Sequence, residues 1–514
     1  MKYFLSIIAF ATTIYASSAQ KNGSMDSTFN QTGLIKENYA TSNSICVDNS
    51  NKTLVLGHDN TTGGYNIYVK RYLNNGSIDN AFGINGVFEN DLNNDRDYGR
   101  CIIPLSNGKY IISGQNSMGS YFRTFIMRLN NDGTIDSTFG QNGFTIIDNN
   151  ENSDAWNLAV DQTGSIYAAG YKTINGKMSC AIWKLKANGS LASGFGTSGE
   201  LILSTTNESE RLFDIELRDH KIAVAGYSNL NGICEGFLAV LDTQGNLDNN
   251  FNSKGYLKVN YNGANTYLKG VGIMSNGKVV CCGAYTDVSS DYYGLVAVFT
   301  KTGVADTAFS KDGYYYYSSA PSFFITLQID CKNAIYVGGY KTISSTDLLL
   351  KKLNANGSFD AVFANNSEFS TRFNSSNTEV IETFALANNS KIVFAGRIDS
   401  DGNTSSCGIG RLNINACSDF NGIVKTQLLK KLIQVFPNPQ KSGTSISIDI
   451  SEIEDEFQTW TIQLTDMNGR LILENVQTPI NGLLKFETTL IAPGVYDIAI
   501  KSINKSFSQK TIIN

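Results

Sequence analysis

The sequence contains only two histidines, His58 and His220, among its 514 residues. A Ser-His-Asp or Cys-His catalytic apparatus needs a histidine beside its nucleophile, and no G-x-S-x-G or comparable element accompanies either one. The sequence also lacks an H-E-x-x-H motif and a phosphate-cradling glycine loop with lysine. These absences argue against histidine-based hydrolases, zinc proteases and P-loop enzymes, and we expect both histidines to lie at the surface.

Charged residues are also scarce, at 17% of the sequence, and the net charge of −5 is spread without blocks of one sign. Nucleic-acid binding depends on clustered Lys and Arg, so we expect no nucleic-acid partner. No run beyond the N-terminus reaches the roughly 18 apolar residues of a spanning helix, so we expect no transmembrane segment.

Cysteine is present nine times but never as a C-x-x-C pair, which argues against a zinc or iron–sulfur site. We expect most of the cysteines to be small buried side chains, with Cys407 and Cys417 as one candidate disulfide. Asp91, Asn93, Asp95 and Asp97 alternate oxygen ligands as a calcium loop does, but no bidentate Glu follows at the required spacing. We therefore expect no cofactor, with calcium at these four residues as the weaker alternative.

The N-terminus has the features of an export signal. Lys2 precedes an apolar stretch over 5–16, and small residues lead to Ala19 and Gln20. This pattern predicts a secretory signal peptide over residues 1–19, cleaved between Ala19 and Gln20.

A glycine that ends an apolar run recurs seven times, at spacings of 57, 56, 56, 57, 56 and 57 residues. The hydrophobicity of these runs barely alternates, which predicts strands that are buried on both faces. A regular period of this length is typical of a circular array of small sheets. The seven glycines are Gly57, Gly114, Gly170, Gly226, Gly283, Gly339 and Gly396.

A second repeated signature is a turn motif, clearest as RLNNDGTIDSTFGQNG over 128–143. Its Asp precedes a Phe by three residues, and we expect the carboxylate to accept backbone N–H bonds while the Phe fills a hydrophobic gap. One unit has Ala192 in place of the Asp, where we expect the least well-held turn. The repeated aromatic residues are Phe29, Phe82, Phe139, Phe195, Phe251, Phe309 and Phe363.

The phase of the repeat predicts how the array closes. The chain after the signal begins with a turn motif and a strand over 34–39, whereas the last repeat ends at 409–413 with no following strand. The N-terminal strand therefore completes the last sheet and removes open edges. We predict an all-β protein in which residues 20–422 form a seven-bladed β-propeller, with one blade shared by the two ends.

The repeat, with its apolar-Gly strand followed by R-L/Y-N-x-x-G-S-L-D-x-x-F-G-x-x-G, resembles the delta-sixty repeats of bacterial exported proteins. The resemblance covers about residues 22–422. It implies a propeller-like fold and no particular activity.

The period stops after Gly422, and a short basic linker over 423–433 leads to about eighty residues of alternating hydrophobicity. Some six short strands over 434–514, separated by turn signals, predict a small immunoglobulin-like β-sandwich. Three short motifs follow one another in this segment: Pro437, Asn438 and Pro439, then Gly469 in DMNGR, then Gly494 and Tyr496 in GVY. In their identity and order, the segment resembles the type A sorting domain of the type IX secretion system. The resemblance implies the type IX secretion machinery as a partner, export across both membranes of a Gram-negative cell, and a cell-surface or extracellular location.

Aromatic residues provide the best binding candidates in the propeller. Tyr171, Tyr227, Tyr285 and Tyr340 stand at or near the residue after the repeat glycine, hence at one rim of the ring. Exposed tyrosine suits sugars or peptides because it combines an apolar face with a polar tip. The favoured hypothesis is a binding or adhesion module for a glycan or protein. The alternatives are a secreted glycan-degrading enzyme that uses rim carboxylates, and a passive surface-layer component.

Overall fold

A computed structural model describes residues 21–37, 41–59, 65–92, 95–147, 150–204, 209–261, 263–287, 289–371, 378–387, 390–400, 404–415, 434–436, 445–449, 459–466, 470–478, 483–487, 491, 494–501 and 506–513. Its regular elements are β-strands, arranged as seven four-stranded antiparallel sheets and two further sheets near the C-terminus. In this part of the chain, no helix has the length and hydrophobicity needed to cross a membrane.

The chain enters the ring through a short strand, β1 (Leu34–Glu37), and then forms complete blades. Blade 1 contains β2 (Ser44–Val47), β3 (Thr53–Asp59), β4 (Asn66–Tyr72) and β5 (Val87–Asn90). Blade 2 contains β6 (Asp97–Pro104), β7 (Tyr110–Ser117), β8 (Phe122–Leu129) and β9 (Phe144–Ile147). Blade 3 contains β10 (Ser153–Val160), β11 (Ile166–Ile174), β12 (Lys177–Leu185) and β13 (Glu200–Leu203).

The remaining blades repeat the same order. Blade 4 contains β14 (Glu210–Arg218), β15 (Lys221–Leu230), β16 (Ile233–Asp242) and β17 (Tyr256–Val259). Blade 5 contains β18 (Thr266–Ile273), β19 (Val279–Thr286), β20 (Tyr292–Phe299) and β21 (Tyr314–Tyr316). Blade 6 contains β22 (Ser322–Ile329), β23 (Ile335–Thr342), β24 (Thr346–Leu353) and β25 (Glu368–Thr371). Blade 7 contains β26 (Glu379–Ala387), β27 (Lys391–Ser400) and β28 (Thr404–Asn413), with β1 as its fourth strand.

Pairing of the two ends of the propeller closes the ring, as the sequence predicts. β1 runs antiparallel to β28, with Leu34 opposite Gly410 and Glu37 opposite Cys407. The first strands of successive blades contact one another all the way round, including β26 with β2. The seven-bladed propeller with a shared blade is therefore confirmed, and the first strands surround its axis.

In blades 2 to 7, the repeat glycine of the second strand pairs with the first strand next to a β-bulge, where the first strand has one extra residue. In blade 2 the register skips Arg100, and Gly99 pairs with Gly114. A Cβ on Gly114 would clash with the carbonyl oxygen of Tyr98 on the neighbouring strand. Glycine is therefore needed for close backbone approach, and it accommodates a β-bulge that redirects one side chain per blade.

The turn motif holds each blade together and links it to the next. Asp136 accepts the N–H of Thr138 through Oδ1 at 3.2 Å, and its Oδ2 accepts from Lys109 Nζ at 2.7 Å and Arg128 Nε at 2.5 Å. Arg128 also donates to the carbonyl oxygen of Ala187 in blade 3, at 2.6 Å. The motif Phe residues are buried in all seven units, each at most 1% exposed. The sequence predicts the Asp-anchored turn, but not the arginine that connects it to the next blade.

Replacing Ala192 with Asp is expected to raise the free energy of unfolding by about 1 kcal/mol. The new carboxylate should accept the N–H of Gly194 and pair with Lys184, as Asp360 pairs with Lys352 at 2.6 Å in blade 6. Urea unfolding of the purified protein measures the change. Ala192→Asn is the control, because it keeps an oxygen acceptor without the charge, and an unchanged midpoint for Ala192→Asp would contradict the prediction.

The cysteines differ from the sequence expectation in one respect. Cys407 is a free, buried thiol that packs with Ile35, Val393 and Ile409, so the predicted Cys407–Cys417 disulfide is wrong. Its side chain joins β1 to the rest of the closing blade, where an apolar filler is needed. Cys331 is disulfide-bonded, whereas Cys46, Cys101, Cys180, Cys234, Cys281 and Cys282 are buried free thiols.

The C-terminal region contains two sheets over one hydrophobic core. β29 (Gln434–Phe436), β30 (Ser445–Asp449) and β33 (Leu483–Glu487) form the first sheet. β31 (Trp460–Asp466), β32 (Leu471–Gln477), β34 (Gly494–Lys501) and β35 (Ser506–Ile513) form the second. Ile448 and Leu484 of one sheet pack in the same core as Trp460 and Ile498 of the other. The two-sheet arrangement agrees with the predicted sandwich, and the immunoglobulin-like topology stays a prediction.

Candidate functional site

The bulged residues of the seven blades converge on a cavity of about 300 Å³. In blades 2 to 7 the first strand contributes to the cavity wall, and in blade 1 the residue just before β2 does so. The cavity therefore lies on the axis of the propeller. We call it the channel cavity. Its seven equivalent wall residues, one per blade, are Asn43, Arg100, Trp156, Phe213, Lys269, Ile325 and Glu382.

Aromatic rings form a continuous band from the cavity wall over blades 3 to 6. Neighbouring ring centroids along this band are 5.2 to 6.3 Å apart. We call this set the aromatic band; in order of contact it is Trp156, Phe213, Tyr227, Tyr267, Tyr292, Phe323 and Tyr340. Trp156, Phe213, Phe323 and Tyr340 line the cavity itself. The Nε1 atom of Trp156 is buried and has no hydrogen-bond acceptor among the described residues.

Arg100 connects the aromatic band to blades 1 and 2. Its guanidinium lies 4.3 Å from the ring centre of Trp156 and 5.4 Å from that of Tyr98. Arg100 Nε also donates to Asp154 Oδ2 at 2.9 Å. This ion pair fixes the arginine against the indole, so that Arg100 has a structural role within the wall.

Lys269 is the other cation that lines the cavity, and Arg211 lies beside the wall, 5.9 Å from the ring centre of Phe213. Lys269 Nζ lies 3.3 Å from the ring centre of Phe213. Burial lowers the pKa of Lys269 to about 8, with the nearby charges of Arg211 and Arg100 acting in the same direction and that of Glu382 opposing them. Arg211 packs against Tyr171 and Tyr227, at 5.2 and 5.5 Å from the ring centres.

Two carboxylates line the cavity, and they differ in their contacts. Asp214 accepts hydrogen bonds from Asn157 Nδ2 and the N–H of Ile215 through Oδ1, and from the N–H of Val271 through Oδ2. Burial raises its pKa to about 7, although these hydrogen bonds oppose the shift. Glu382 has no hydrogen bond or ion pair with any described residue, and burial raises its pKa against the charges of Arg397 and Lys269.

Hydrogen bonds between blades support the wall from behind. Cys101 Sγ of blade 2 donates to Asn157 Oδ1 of blade 3 at 2.9 Å, and Asn157 in turn donates to Asp214 of blade 4. Asp214 then accepts from the backbone of blade 5. In blades 2, 3 and 4, the residue after the bulge therefore connects neighbouring blades and holds the wall side chains in place.

The structure places the four tyrosines of the sequence hypothesis in two different environments. Tyr340 lines the channel cavity, Tyr227 belongs to the aromatic band, and Tyr171 contacts Arg211 beside it. Tyr285 instead packs in a separate cluster with Tyr261 and Tyr316, and its ring centroid lies 4.1 Å from that of Tyr261. It stands two residues after Gly283 rather than one, so its side chain leaves the opposite face of the strand.

The prediction that both histidines lie at the surface is wrong for His58 and correct for His220, which is exposed. His58 is partly buried between Tyr65 and Tyr98, with ring centroids 5.1 and 4.9 Å away. Burial and the charge of Arg100 lower its pKa to about 4, so it is neutral at physiological pH. Its position is the first residue after Gly57, equivalent to Tyr171 and Tyr227.

The candidate calcium residues are engaged within the protein. Asp95 accepts from Ser117 Oγ at 2.6 Å, Asp97 accepts the N–H of Leu92 at 2.7 Å, and Asp91 is exposed, while Asn93 lies outside the described residues. No group of three or more His, Cys, Asp or Glu side chains in the described ranges could hold a metal ion.

Several other residues singled out in the sequence lie outside the described ranges. They are the signal cleavage residues Ala19 and Gln20 and the sorting-motif residues Pro437, Asn438, Pro439 and Gly469. Gly494 begins β34, and Tyr496 is buried in the C-terminal core.

The seven wall residues themselves were missed by the sequence analysis. They carry a signal, because they are spaced by 57, 56, 57, 56, 56 and 57 residues, in step with the repeat glycines. The repeat glycine and the motif Phe keep their identity in every unit, whereas this position has a different residue in every blade. A position that is regular in spacing but variable in chemistry is the expected mark of a binding surface on a repeat scaffold.

Comparison with known proteins supports the two-part organisation. A family model described as "Domain of unknown function (DUF5122) beta-propeller" matches residues 49–82, 105–139 and 333–363. A second, described as "Secretion system C-terminal sorting domain", matches residues 434–514. No curated protein matches the chain in sequence.

Solved structures show only distant similarity. A protein of unknown function from Dyadobacter fermentans DSM 18053 is 11% identical, with a TM-score of 0.40 over 74% of this chain and 100% of its own. Sqt1 from Chaetomium thermophilum is 10% identical, with a TM-score of 0.39 over 77% of this chain and 100% of its own. A glycoside hydrolase of family 32 from Bifidobacterium adolescentis is 8% identical, with a TM-score of 0.26 over 95% of this chain and 78% of its own. Similarity this low says nothing about ligand or activity.

The repeats, the closed ring and the two family matches lead to one assignment. The chain folds as a seven-bladed β-propeller whose repeats match the DUF5122 beta-propeller model in three stretches, and its C-terminal sorting domain directs it through type IX secretion to the cell surface or the extracellular space.

Proposed function

We propose that the exported propeller is a binding protein that takes a glycan into the channel cavity. The observation that carries this proposal is the convergence of seven chemically different side chains, one from each blade, on a single cavity next to the aromatic band. Its volume of about 300 Å³ lies at the lower end of the range of small-molecule sites. At the cell surface, such a site would serve adhesion or nutrient capture.

The composition of the wall favours a sugar over a purely apolar ligand. Trp156 and Phe213 offer apolar ring surface to the C–H groups of a pyranose, while Asn43 and Thr326 offer hydrogen bonds to its hydroxyls. The buried Nε1 of Trp156 adds a donor without an acceptor among the described residues. A buried donor of this kind is satisfied when a ligand oxygen accepts its hydrogen bond.

The carboxylates support binding rather than hydrolysis. Both oxygens of Asp214 accept hydrogen bonds from the protein, Oδ1 from Asn157 and Ile215 and Oδ2 from Val271, so this carboxylate is part of the network that joins the blades. Glu382 is then the remaining carboxylate of the cavity wall, and retaining or inverting glycoside hydrolysis uses two.

The test is a binding screen of the exported protein against glycans and host or bacterial surface proteins, with hydrolysis products assayed in parallel. Trp156→Ala is expected to weaken glycan binding at least about tenfold, because it removes the largest ring of the wall. Phe359→Ala is the matched control, since Phe359 is 47% exposed and lies outside the cavity. Binding that survives Trp156→Ala, or a ligand that proves to be a protein, would overturn the proposal.

A further inference from the structure

Many partly buried basic side chains of the propeller have acidic partners, although Lys184 donates to the carbonyl oxygen of Thr243 and Arg218 Nη1 has no acceptor among the described residues. Lys70 pairs with Glu37 at 2.7 Å, Lys172 with Glu200 at 2.7 Å, and Arg71 with Asp79 at 2.8 Å. Removing a cation from water is costly unless an anion or hydrogen-bond acceptors replace the solvent, which explains this general pairing. Lys269 and Arg211 depart from the pattern.

Lys269 forms neither a hydrogen bond nor an ion pair with the described residues. Its ammonium instead lies over the face of Phe213 and 5.7 Å from the ring centre of Trp156. The side chain lines the channel cavity, so its charge is directed toward whatever occupies that space.

Arg211 has few acceptors, although it forms a side-chain hydrogen bond with Tyr227. Its Nη2 donates to the sulfur of Met178 at 3.1 Å, a weak acceptor, and its Nε is buried without a partner among the described residues. The guanidinium lies 5.9 Å from the ring centre of Phe213, so the two cations are held near the same aromatic side chain. Asp154, the nearest acid that acts on Arg211, is already paired with Arg100.

The charges around the cavity therefore do not cancel. Arg100 is balanced by Asp154. Lys269 lines the cavity with two carboxylates, Asp214 and Glu382, whose negative charge is reduced because burial raises the pKa of both. Arg211 adds positive charge from beside the wall, where it packs near Phe213. The exposed Arg397 also acts on Glu382. A partly buried lysine without an acidic partner among the described residues, beside carboxylates whose raised pKa reduces their charge, favours an anionic ligand.

We infer that the glycan bound in the channel cavity is acidic, with a carboxylate or sulfate-ester group that contacts Lys269, near the charge of Arg211, while a sugar ring packs against Trp156 and Phe213. This inference rests on the proposed function. The anion would supply the acceptors that the two cations lack, and the adjoining rings would recognise the sugar that carries it.

The experiment compares polymers that differ only in charge. Binding of the exported protein to polygalacturonate is measured beside its fully methyl-esterified form, and binding to a sulfated galactan beside its desulfated form. The acidic member of one pair is expected to bind at least about tenfold more tightly, since charge-assisted hydrogen bonds dominate such contacts. The pair that responds identifies the anion as carboxylate or sulfate ester.

Two lysine variants connect the effect to the site. Lys269→Met should remove the preference for the acidic polymer, whereas Lys254→Met, at an exposed lysine outside the cavity, should keep it. Equal binding of charged and uncharged members overturns the acidic-ligand inference and leaves glycan binding intact. Absence of binding to all four polymers also overturns the acidic-ligand inference. The proposed function fails as well only if the glycan screen described above finds no ligand. Because the polymer comparison uses the unaltered protein, it holds even if a variant fails to fold.

Discussion

Deletion of residues 434–514 is expected to abolish delivery of the protein to the cell surface, with the propeller retained in the periplasm. The matched sorting domain occupies this segment, and its core is built from its own residues, among them Ile448, Trp460 and Ile498. We therefore expect recognition by the secretion machinery to require this folded sandwich. The measurement is the fraction of protein accessible to protease or antibody on intact cells.

Two point variants separate loss of the sorting fold from loss of chain length. Trp460→Ala removes a fully buried side chain of the core and should reproduce the export defect, because large-to-small changes of this kind cost about 3–5 kcal/mol. Val476→Ala, at a residue that is 58% exposed on β32, should leave export unchanged. Normal surface delivery of the deletion variant would contradict the assignment of the sorting signal.

Arg411→Ala is expected to open the ring at its closing blade and to destabilise the propeller by about 3–5 kcal/mol. Arg411 Nε donates to Asp26 Oδ2 at 2.7 Å, and its Nη1 donates to the carbonyl oxygen of Asn74 at 2.5 Å. The arginine thus joins the N-terminal turn, the last strand and blade 1. Loss of the guanidinium leaves the buried Asp26 carboxylate with Lys391 as its remaining cation.

Arg128→Ala is the matched control for closure. Arg128 makes the equivalent contacts, to Asp136, Thr138 and Ala187, but covalent chain connects these segments. Both variants should lower the urea midpoint, whereas Arg411→Ala alone should expose residues 21–37 to protease and hydrogen exchange. Equal protection of residues 21–37 in the two variants would show that the arginine does not hold the ring closed.

The same closure should weaken in acid. Burial acts to raise the pKa of Asp26, but hydrogen bonds from Thr28 and Lys391 and the charge of Arg411 outweigh it and lower the pKa to about 2. A carboxylate whose pKa is lower in the folded state stabilises the fold above its unfolded value of 3.8, and this stabilisation is lost as the pH falls toward 2. Protection of residues 21–37 against protease and hydrogen exchange should decrease as the pH falls from about 4 toward 2. It should decrease less in Asp26→Asn, which has no carboxylate to protonate.

Local and periodic features could be predicted because each depends on residues close together in the chain. The glycine period indicated seven blades, the complementary chain ends indicated the shared blade, and the Asp and Phe of each turn act within a few residues of one another. Separated short motifs, in a fixed order, likewise indicated the sorting domain. Cys407 and His58 were wrongly interpreted because burial at a blade interface depends on the neighbouring blade, which the local sequence does not describe.

By itself, the sequence determined the repeat, the ring closure and the export route, because strand pattern, turn chemistry and sorting motifs are all encoded in short stretches. Only the tertiary structure decided where the candidate site lies. The bulge opposite each repeat glycine turns one side chain toward the axis, and the channel cavity forms when seven such residues from separate repeats meet. Tyr285, one residue out of step with its counterparts, shows how a single position in a strand moves a side chain from that site to another face.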